Sequence, residues 1–263
     1  MGSTLNDIEK KVQAGERLSF DDGVRLFKTD DLFTLGRLAN HVREKKNGNV
    51  AYYVRNMHLN YSNVCVFDCH FCSFYRKDGG EGAWEMDLDT IYGYAAKSKF
   101  EKLNEIHIVG GVHPKLPWKY YLEMLRGLKA RYPDLHIKAF TATEIDHFTK
   151  IAKKNAEQVL AELREAGLDS LPGGGAEIFA DRVWNQVCSG KARPERWLEI
   201  HRIWHRMGGG RPRPCSTATS RRPRNASTTC SGFASFRTRP GASPPSSPSR
   251  FRSTTTPSGA CRR

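Results

Sequence analysis

The stretch Cys65-Val66-Phe67-Asp68-Cys69-His70-Phe71-Cys72 decides how this chain is read. It places three of the seven cysteines within eight residues, in a CxxxCxxC spacing. Three thiols so close together, with no obvious fourth ligand beside them, describe a metal site with one open position. Thiolates are the usual ligands of iron–sulfur clusters, and zinc is also thiophilic. Structural zinc closes its shell with four ligands. Here the fourth would have to be Asp68, His70 or a distant residue, and His70 sits between two ligands, where joint chelation is awkward. A 4Fe–4S cluster needs no fourth protein ligand. Cys65, Cys69 and Cys72 would hold three irons and leave the last free to bind a small molecule, so the spacing favours the cluster.

Outward from the triad, strand and helix patterns alternate. Val50, Tyr52, Val54, Met57 and Leu59 alternate with polar residues, as in strands leading into the cysteines. Glu85 to Lys97 reads as a helix, Glu105 to Val109 as a buried strand ending in Gly110-Gly111, and Tyr120 to Arg131 as a helix stopped by Pro133. His136 to Phe140 is the next strand, Ala156 to Ala166 a helix closed by Gly167, and Asp169 to Leu171 a short strand running into Pro172-Gly-Gly-Gly175. Pro194 to Met207 is a further helix. Alternation of this kind makes a parallel sheet. The functional-looking residues follow the strands, as on the carboxyl face of a (β/α) barrel. Residues 1–48 read as short amphipathic helices, with Ser19, Asp21 and Asp22 marking one helix start, and form an N-terminal helical cap. Residues 49–208 read as the first half of a TIM-like α/β barrel.

The net charge of +14 would ordinarily point to a polyanionic partner. From Gly209 to Arg263, however, there are 11 Arg and no Lys, Asp or Glu, so the rest carries 31 basic residues against 28 acidic ones. The body is nearly balanced, and no nucleic-acid partner is expected. No apolar run approaches the ~20 residues of a membrane helix, and the N-terminus lacks the apolar core of a signal peptide. Clustered cysteines without a secretion signal read as metal ligands, and the expected compartment is a reducing cytoplasm. Cys188 stands alone and reads as a buried spectator thiol.

After Gly208 the composition breaks. The last 55 residues contain no Leu, Ile, Val or Met and hold 8 of the 13 prolines. Such a segment cannot bury a core. Residues 209–263 read as a GC-rich gene translated in the wrong frame. With suitable codons, the shifted frame encodes RSTATMLYGHVETPEERVDHLLRL, a strand-like start followed by an amphipathic helix. Cys215, Cys230 and Cys261 then carry no meaning, and the barrel is incomplete.

Around the triad, Phe71, Phe74 and Tyr75 are candidates to wall an adenine, with core packing as the alternative. Gly110 and Gly111 end a strand with no side chains in the way, so their backbone is a candidate cofactor contact. Glu144 and Glu177 lie near strand ends and are candidates to bind a ribose hydroxyl or handle a proton. His113 follows the glycine pair and is a better site candidate than His107, which reads as a satisfied strand histidine.

At these residues the sequence resembles the radical S-adenosylmethionine superfamily, whose signature is CxxxCxxC. The likeness narrows to its aminofutalosine synthase family through Asn49-Val-Ala-Tyr-Tyr53, Asn63-Val-Cys65, Ile108-Val-Gly-Gly-Val-His-Pro114, Lys138-Ala-Phe-Thr-Ala-Thr-Glu-Ile145 and Leu168-Asp-Ser-Leu-Pro-Gly-Gly-Gly-Ala-Glu-Ile178. It runs from about residue 5 to 208. The resemblance implies that the open iron chelates S-adenosylmethionine, a co-substrate whose adenosyl radical adds to the enol-ether double bond of 3-[(1-carboxyvinyl)oxy]benzoate. The product would be 6-amino-6-deoxyfutalosine, on the futalosine route to menaquinone. It implies Cys65, Cys69 and Cys72 as cluster ligands and Gly110-Gly111 as the methionine-binding stretch, with Val112 where an acid is usual. It further implies an electron donor such as flavodoxin or ferredoxin, and cationic partners for the substrate carboxylates, for which Arg76 and His113 are candidates. Related futalosine cyclases and deazaflavin-forming enzymes share the triad.

Overall fold

The computed structural model describes residues 5–51, 53–98 and 103–209. Three helices come first: α1 (Asn6–Ala14), α2 (Phe20–Lys28) and α3 (Leu32–Asn47). The expected start of α2 is present as a capping box. Ser19 Oγ accepts from the Asp22 amide, and the Asp22 carboxylate accepts from the Ser19 amide. Leu5, Ile8 and Leu38 bury one another in a small core of their own.

A parallel sheet follows, built from β1 (Asn56–Leu59), β2 (Glu105–Ile108) and β3 (His136–Ala139), in that spatial order. The crossovers carry α4 (Leu88–Ala96) and α5 (Trp118–Arg131). Beyond β3 come α6 (Ala142–Ala152), α7 (Ala156–Glu165), α8 (Asp181–Val187) and α9 (Pro194–Arg206). Segment 169–171 adds a rudimentary fourth member. Lys138 bridges Ser170 in parallel, and the Ala139 amide donates to the Ser170 carbonyl at 3.0 Å.

Side chains alternate across a strand, so the register sorts the sheet into two faces. Leu59, Ile108 and Ala139 share one row and Met57, Ile106 and Ile137 the next; they pack with residues of the helices in the main core. The opposite face is polar throughout. Its upper row is His58, His107 and Lys138, and its lower row Asn56, Glu105 and His136. Asn56 Nδ2 donates to Glu105 Oε1 at 2.5 Å, and Lys138 Nζ donates to the same oxygen at 2.7 Å. His136 Nε2 lies 2.8 Å from Ser170 Oγ. A sheet covered by helices on both faces would be apolar on both. One greasy and one polar face describe the wall of a (β/α) barrel with its polar side inward, which agrees with the barrel expectation.

The sequence reading departs from the structure at four places. The alternation from Asn49 does not make a strand before Asn56; Val50, Tyr53 and Val54 are exposed and gain nothing from pairing, and Tyr52 lies outside the described residues. The helix expected from Glu85 starts at Leu88, where Asp87 caps it by accepting from the Thr90 amide. Helices α6 and α8 were not anticipated. His107 is not satisfied. Its Nε2 is buried without a partner, its ring lies 4.7 Å from that of His58, and burial with the neighbouring His58 and Lys138 holds its pKa at about 4. The arginine-rich segment falls outside the described residues, apart from Gly209.

Candidate metal centre

Beyond β1 the chain sinks into the core before rising into the cysteine loop. Tyr61, Ser62, Asn63 and Val64 are all buried. Asn63 is the staple. Its Nδ2 donates to the Gly82 carbonyl, its Oδ1 accepts from the Trp84 amide, and its backbone carbonyl accepts from the Arg76 amide, each at 2.8 Å. The Cys65 amide donates to the Arg76 carbonyl at 2.9 Å, so both ends of the loop are tied together.

The loop rests on Gly110-Gly111. The Gly111 amide donates to the Ser62 carbonyl at 2.8 Å, and the Val66 amide to the Val112 carbonyl at 2.9 Å. A β-carbon at Gly110 would run into the Tyr61 ring, and one at Gly111 into the Val64 carbonyl. Glycine is needed here because the backbone that carries the cysteines lies directly against it. The Val112 amide donates to Cys65 Sγ at 3.3 Å. Amide donors to sulfur lower the charge density that a thiolate must carry, which suits a cluster ligand.

Cys65, Cys69 and Cys72 are free thiols, all partly exposed. Burial pushes the pKa of Cys65 and Cys69 up, and the neighbouring Cys72 adds to the rise in both, while Lys191 pulls Cys69 back. Among the described residues, no three Cys, His, Asp or Glu side chains converge as ligands of one ion. Three neighbouring thiols on one loop that do not converge on a single point fit a cluster, whose ligands attach to separate irons, better than one tetrahedral ion. Cys188 is buried, as expected, and packs with Ile178, Val183 and Trp184 against Cys69; burial pushes its thiol up to about 11.

The remaining predicted residues divide into two groups. Phe71 is 44 % exposed on the rim of the loop, so core packing does not account for it. Phe74 is also exposed and meets Trp84 edge-on, and Tyr75 carries Lys77 over its ring. Arg76 donates through Nη1 to the Ser73 and Tyr75 carbonyls and so braces the loop. His113 is 2 % exposed and engaged at both ring nitrogens. Its Nδ1 accepts from the Lys115 and Leu116 amides at 3.1 Å, and its Nε2 lies 2.7 Å from Glu85 Oε2. The structure therefore gives His113 the work of shaping the turn after the glycine pair, not the free ring expected of a site histidine.

Glu144 lies shortly beyond the end of β3. It is the N3 residue of α6, in a capping box with Thr141. Its Oε2 accepts from the Thr141 amide and hydroxyl, and its Oε1 from Tyr61 Oη at 2.8 Å and the Gly110 amide at 3.2 Å. Burial raises its pKa. It ties the glycine pair to the helix behind it.

Glu177, by contrast, comes to the loop through a residue the sequence reading missed. With a φ of +52°, Glu177 pairs with Lys191 Nζ at 2.8 Å. Lys191 in turn lies 5.4 Å from the centre of the Phe71 ring. The segment carrying Lys191 clasps the cysteine loop: the His70 amide donates to the Val187 carbonyl, and Gly190 leaves room for the Phe67 ring. A lone lysine in a loop has no sequence signal; only the fold brings it there.

The model of the radical SAM superfamily matches residues 59–219, which takes in the whole of this loop with β2 and β3 behind it. The chain belongs to the radical SAM superfamily. Superfamily members use a 4Fe–4S cluster and S-adenosylmethionine, and the triad has the spacing of their motif. Aminodeoxyfutalosine synthase of Thermus thermophilus is 48 % identical over 204 residues, 78 % of this chain and 55 % of that protein. The enzyme of the same name from Streptomyces coelicolor is 47 % identical over 202 residues, 77 % of this chain and 52 % of that protein. Cyclic dehypoxanthine futalosine synthase of Streptomyces coelicolor is 34 % identical, over 78 % of this chain and 52 % of that protein. The chain thus spans about half the length of the curated relatives it matches. Among solved structures, methylornithine synthase superposes with a TM-score of 0.64 at 17 % identity, over 87 % of this chain and 64 % of the other. The FeFe-hydrogenase maturase HydG gives 0.63 at 13 % identity, over 91 % and 52 %. These two show the fold. No helix among the described residues is long and apolar enough to cross a membrane.

Proposed function

We propose that this chain carries the cluster-binding half of an aminodeoxyfutalosine synthase. The reaction transfers the adenosyl group of S-adenosylmethionine to the enol-ether double bond of 3-[(1-carboxyvinyl)oxy]benzoate. It gives 6-amino-6-deoxyfutalosine, methionine and carbon dioxide or bicarbonate. The observation that carries the reading is the triad itself, seated on Gly110-Gly111 with the Val112 amide on Cys65 Sγ, in a chain 47–48 % identical to two synthases of that name and 34 % to a cyclase of similar name.

Cys65, Cys69 and Cys72 would hold the cluster. When bound there, the cluster supplies the electron that cleaves the carbon–sulfur bond of S-adenosylmethionine. The chain's own residues prepare the place. Asn63 fixes the ends of the loop, the glycine pair brings a side-chain-free backbone beside Cys65, and Phe71 and Tyr75 offer aromatic surface for a purine. Glu177 is read as a carboxylate for polar groups of the ligand. A low-potential donor such as flavodoxin or ferredoxin would serve as reductant, in a reducing cytoplasm.

We further read residues 209–263 as out-of-frame translation of the barrel's continuation, so that the chain as written reacts poorly. Anaerobic reconstitution of the full chain with iron and sulfide tests the first reading; about four irons per chain support it, and zinc without iron overturns it. Mass analysis after incubation with each substrate then separates synthase from cyclase. The nucleotide sequence around the Gly208 and Gly209 codons tests the second reading. An in-frame gene there overturns it, as does full activity from the chain as written.

A further inference from the structure

The charge pair Lys191–Glu177 belongs to neither the triad nor the glycine floor, yet it sits against both the triad and the segment that clasps it. Both side chains are largely buried, at 10 % and 16 % exposure, so their charges act through protein more than through water. Two features hold Lys191 in place: the Glu177 carboxylate at 2.8 Å and the Phe71 ring beneath it, inside the triad. The left-handed backbone at Glu177 is unusual for a residue with a side chain, and it turns that carboxylate to the lysine. The loop that carries Lys191 is anchored to the triad by the His70 amide on the Val187 carbonyl at 3.0 Å. Cys188, on the same segment, packs with Cys69 of the triad. A surface ion pair would not be packed in this way.

From this geometry we infer that Lys191 and Glu177 form a two-charge device that sets the reduction potential of the cluster held on Cys65, Cys69 and Cys72. The inference rests on the radical SAM reading of that site and deepens it. On reduction the cluster gains one electron from a low-potential one-electron donor, and no atom is transferred. The reduced form carries one more negative charge. A buried ammonium group over Phe71, inside the triad, stabilises that form, and the carboxylate of Glu177 offsets part of the effect. The pair is thus a trim, not a single fixed bias, and the two residues act on the cluster in opposite directions.

The test is an EPR-monitored redox titration of the reconstituted full chain, with iron per chain measured alongside. Lys191→Met is expected to lower the ratio of reduced to oxidised cluster at a fixed potential about tenfold, equivalent to about 59 mV for one electron. Glu177→Gln is expected to raise that ratio. Lys191→Arg is expected to keep the wild-type midpoint, and the Lys191→Met/Glu177→Gln pair to fall between the two single variants. Opposite shifts from the two partners are what a merely structural ion pair would not give. Midpoints that stay put, or that move the same way in both single variants, overturn the inference while leaving the cluster assignment intact. Failure of the wild-type chain to take up iron overturns the cluster assignment itself.

Discussion

Single residues decide whether the triad has a seat. At Gly111 a methyl group meets the Val64 carbonyl, a backbone atom that cannot rotate away. Gly111→Ala should therefore lift the cysteine loop from β2, and reconstitution should yield well under half the wild-type iron, with the far-ultraviolet circular dichroism unchanged. A second residue-scale consequence concerns acid. The pKa of His107, about 4 in the fold, lies below the ordinary histidine value of 6.5. A depressed folded pKa favours the neutral form, so its contribution is complete above pH 6.5 and is lost as pH falls toward 4. Replacing it by a neutral residue, His107→Gln, should shrink the stability lost between pH 7 and pH 4 by up to about 3 kcal/mol. Urea unfolding at the two pH values checks this. The residual slope should include His136 and His147, which burial lowers in the same direction, and ion-paired carboxylates such as Glu9 and Glu162, whose partners lower them.

At the scale of elements, what the sequence disclosed depended on whether the signal was local. The start of α2 at Ser19, the close of α7 before Gly167 and the parallel order of β1, β2 and β3 were all legible, because caps and alternation are written within a few residues. Helix α6 is not read from the sequence although Thr141-Ala-Thr-Glu144 spells a capping box, because it begins directly after β3. The apolar alternation before Asn56 misled in the opposite sense, since Tyr53 is 87 % exposed. In the site, the cysteines and glycines were legible from spacing. The roles of His113 and Lys191 were not, because each depends on partners such as Glu85 and Glu177 that only the fold delivers. Capping energetics can be checked away from the site. Asn155 and Gln158 form the capping box of α7 on an exposed surface. Asn155→Ala should cost about 1 kcal/mol, read as a lower urea midpoint with an unchanged slope.

At the scale of the molecule, the small core of Leu5, Ile8 and Leu38 is separate from the main core, and the exposed Val50, Tyr53 and Val54 lie on the stretch between the two. Limited chymotrypsin treatment should cut at Tyr53 before it cuts at buried Tyr61 or Tyr121, leaving a fragment that begins near β1; mass spectrometry of the products over time checks this. Cleavage at Tyr61 or Tyr121 ahead of Tyr53 would contradict that division. The sheet has a further consequence for how the protein is made. Its helix-packed face is complete with the strands described, while the face carrying His58, Glu105, His107 and Lys138 bears charge and hydrogen-bonding groups. A nascent chain emerging from a ribosome can therefore collapse on β1 to β3 before any later strand is synthesised. The wall it then shows to chaperones and neighbouring nascent chains is lined with polar and charged groups, not with a bare apolar surface.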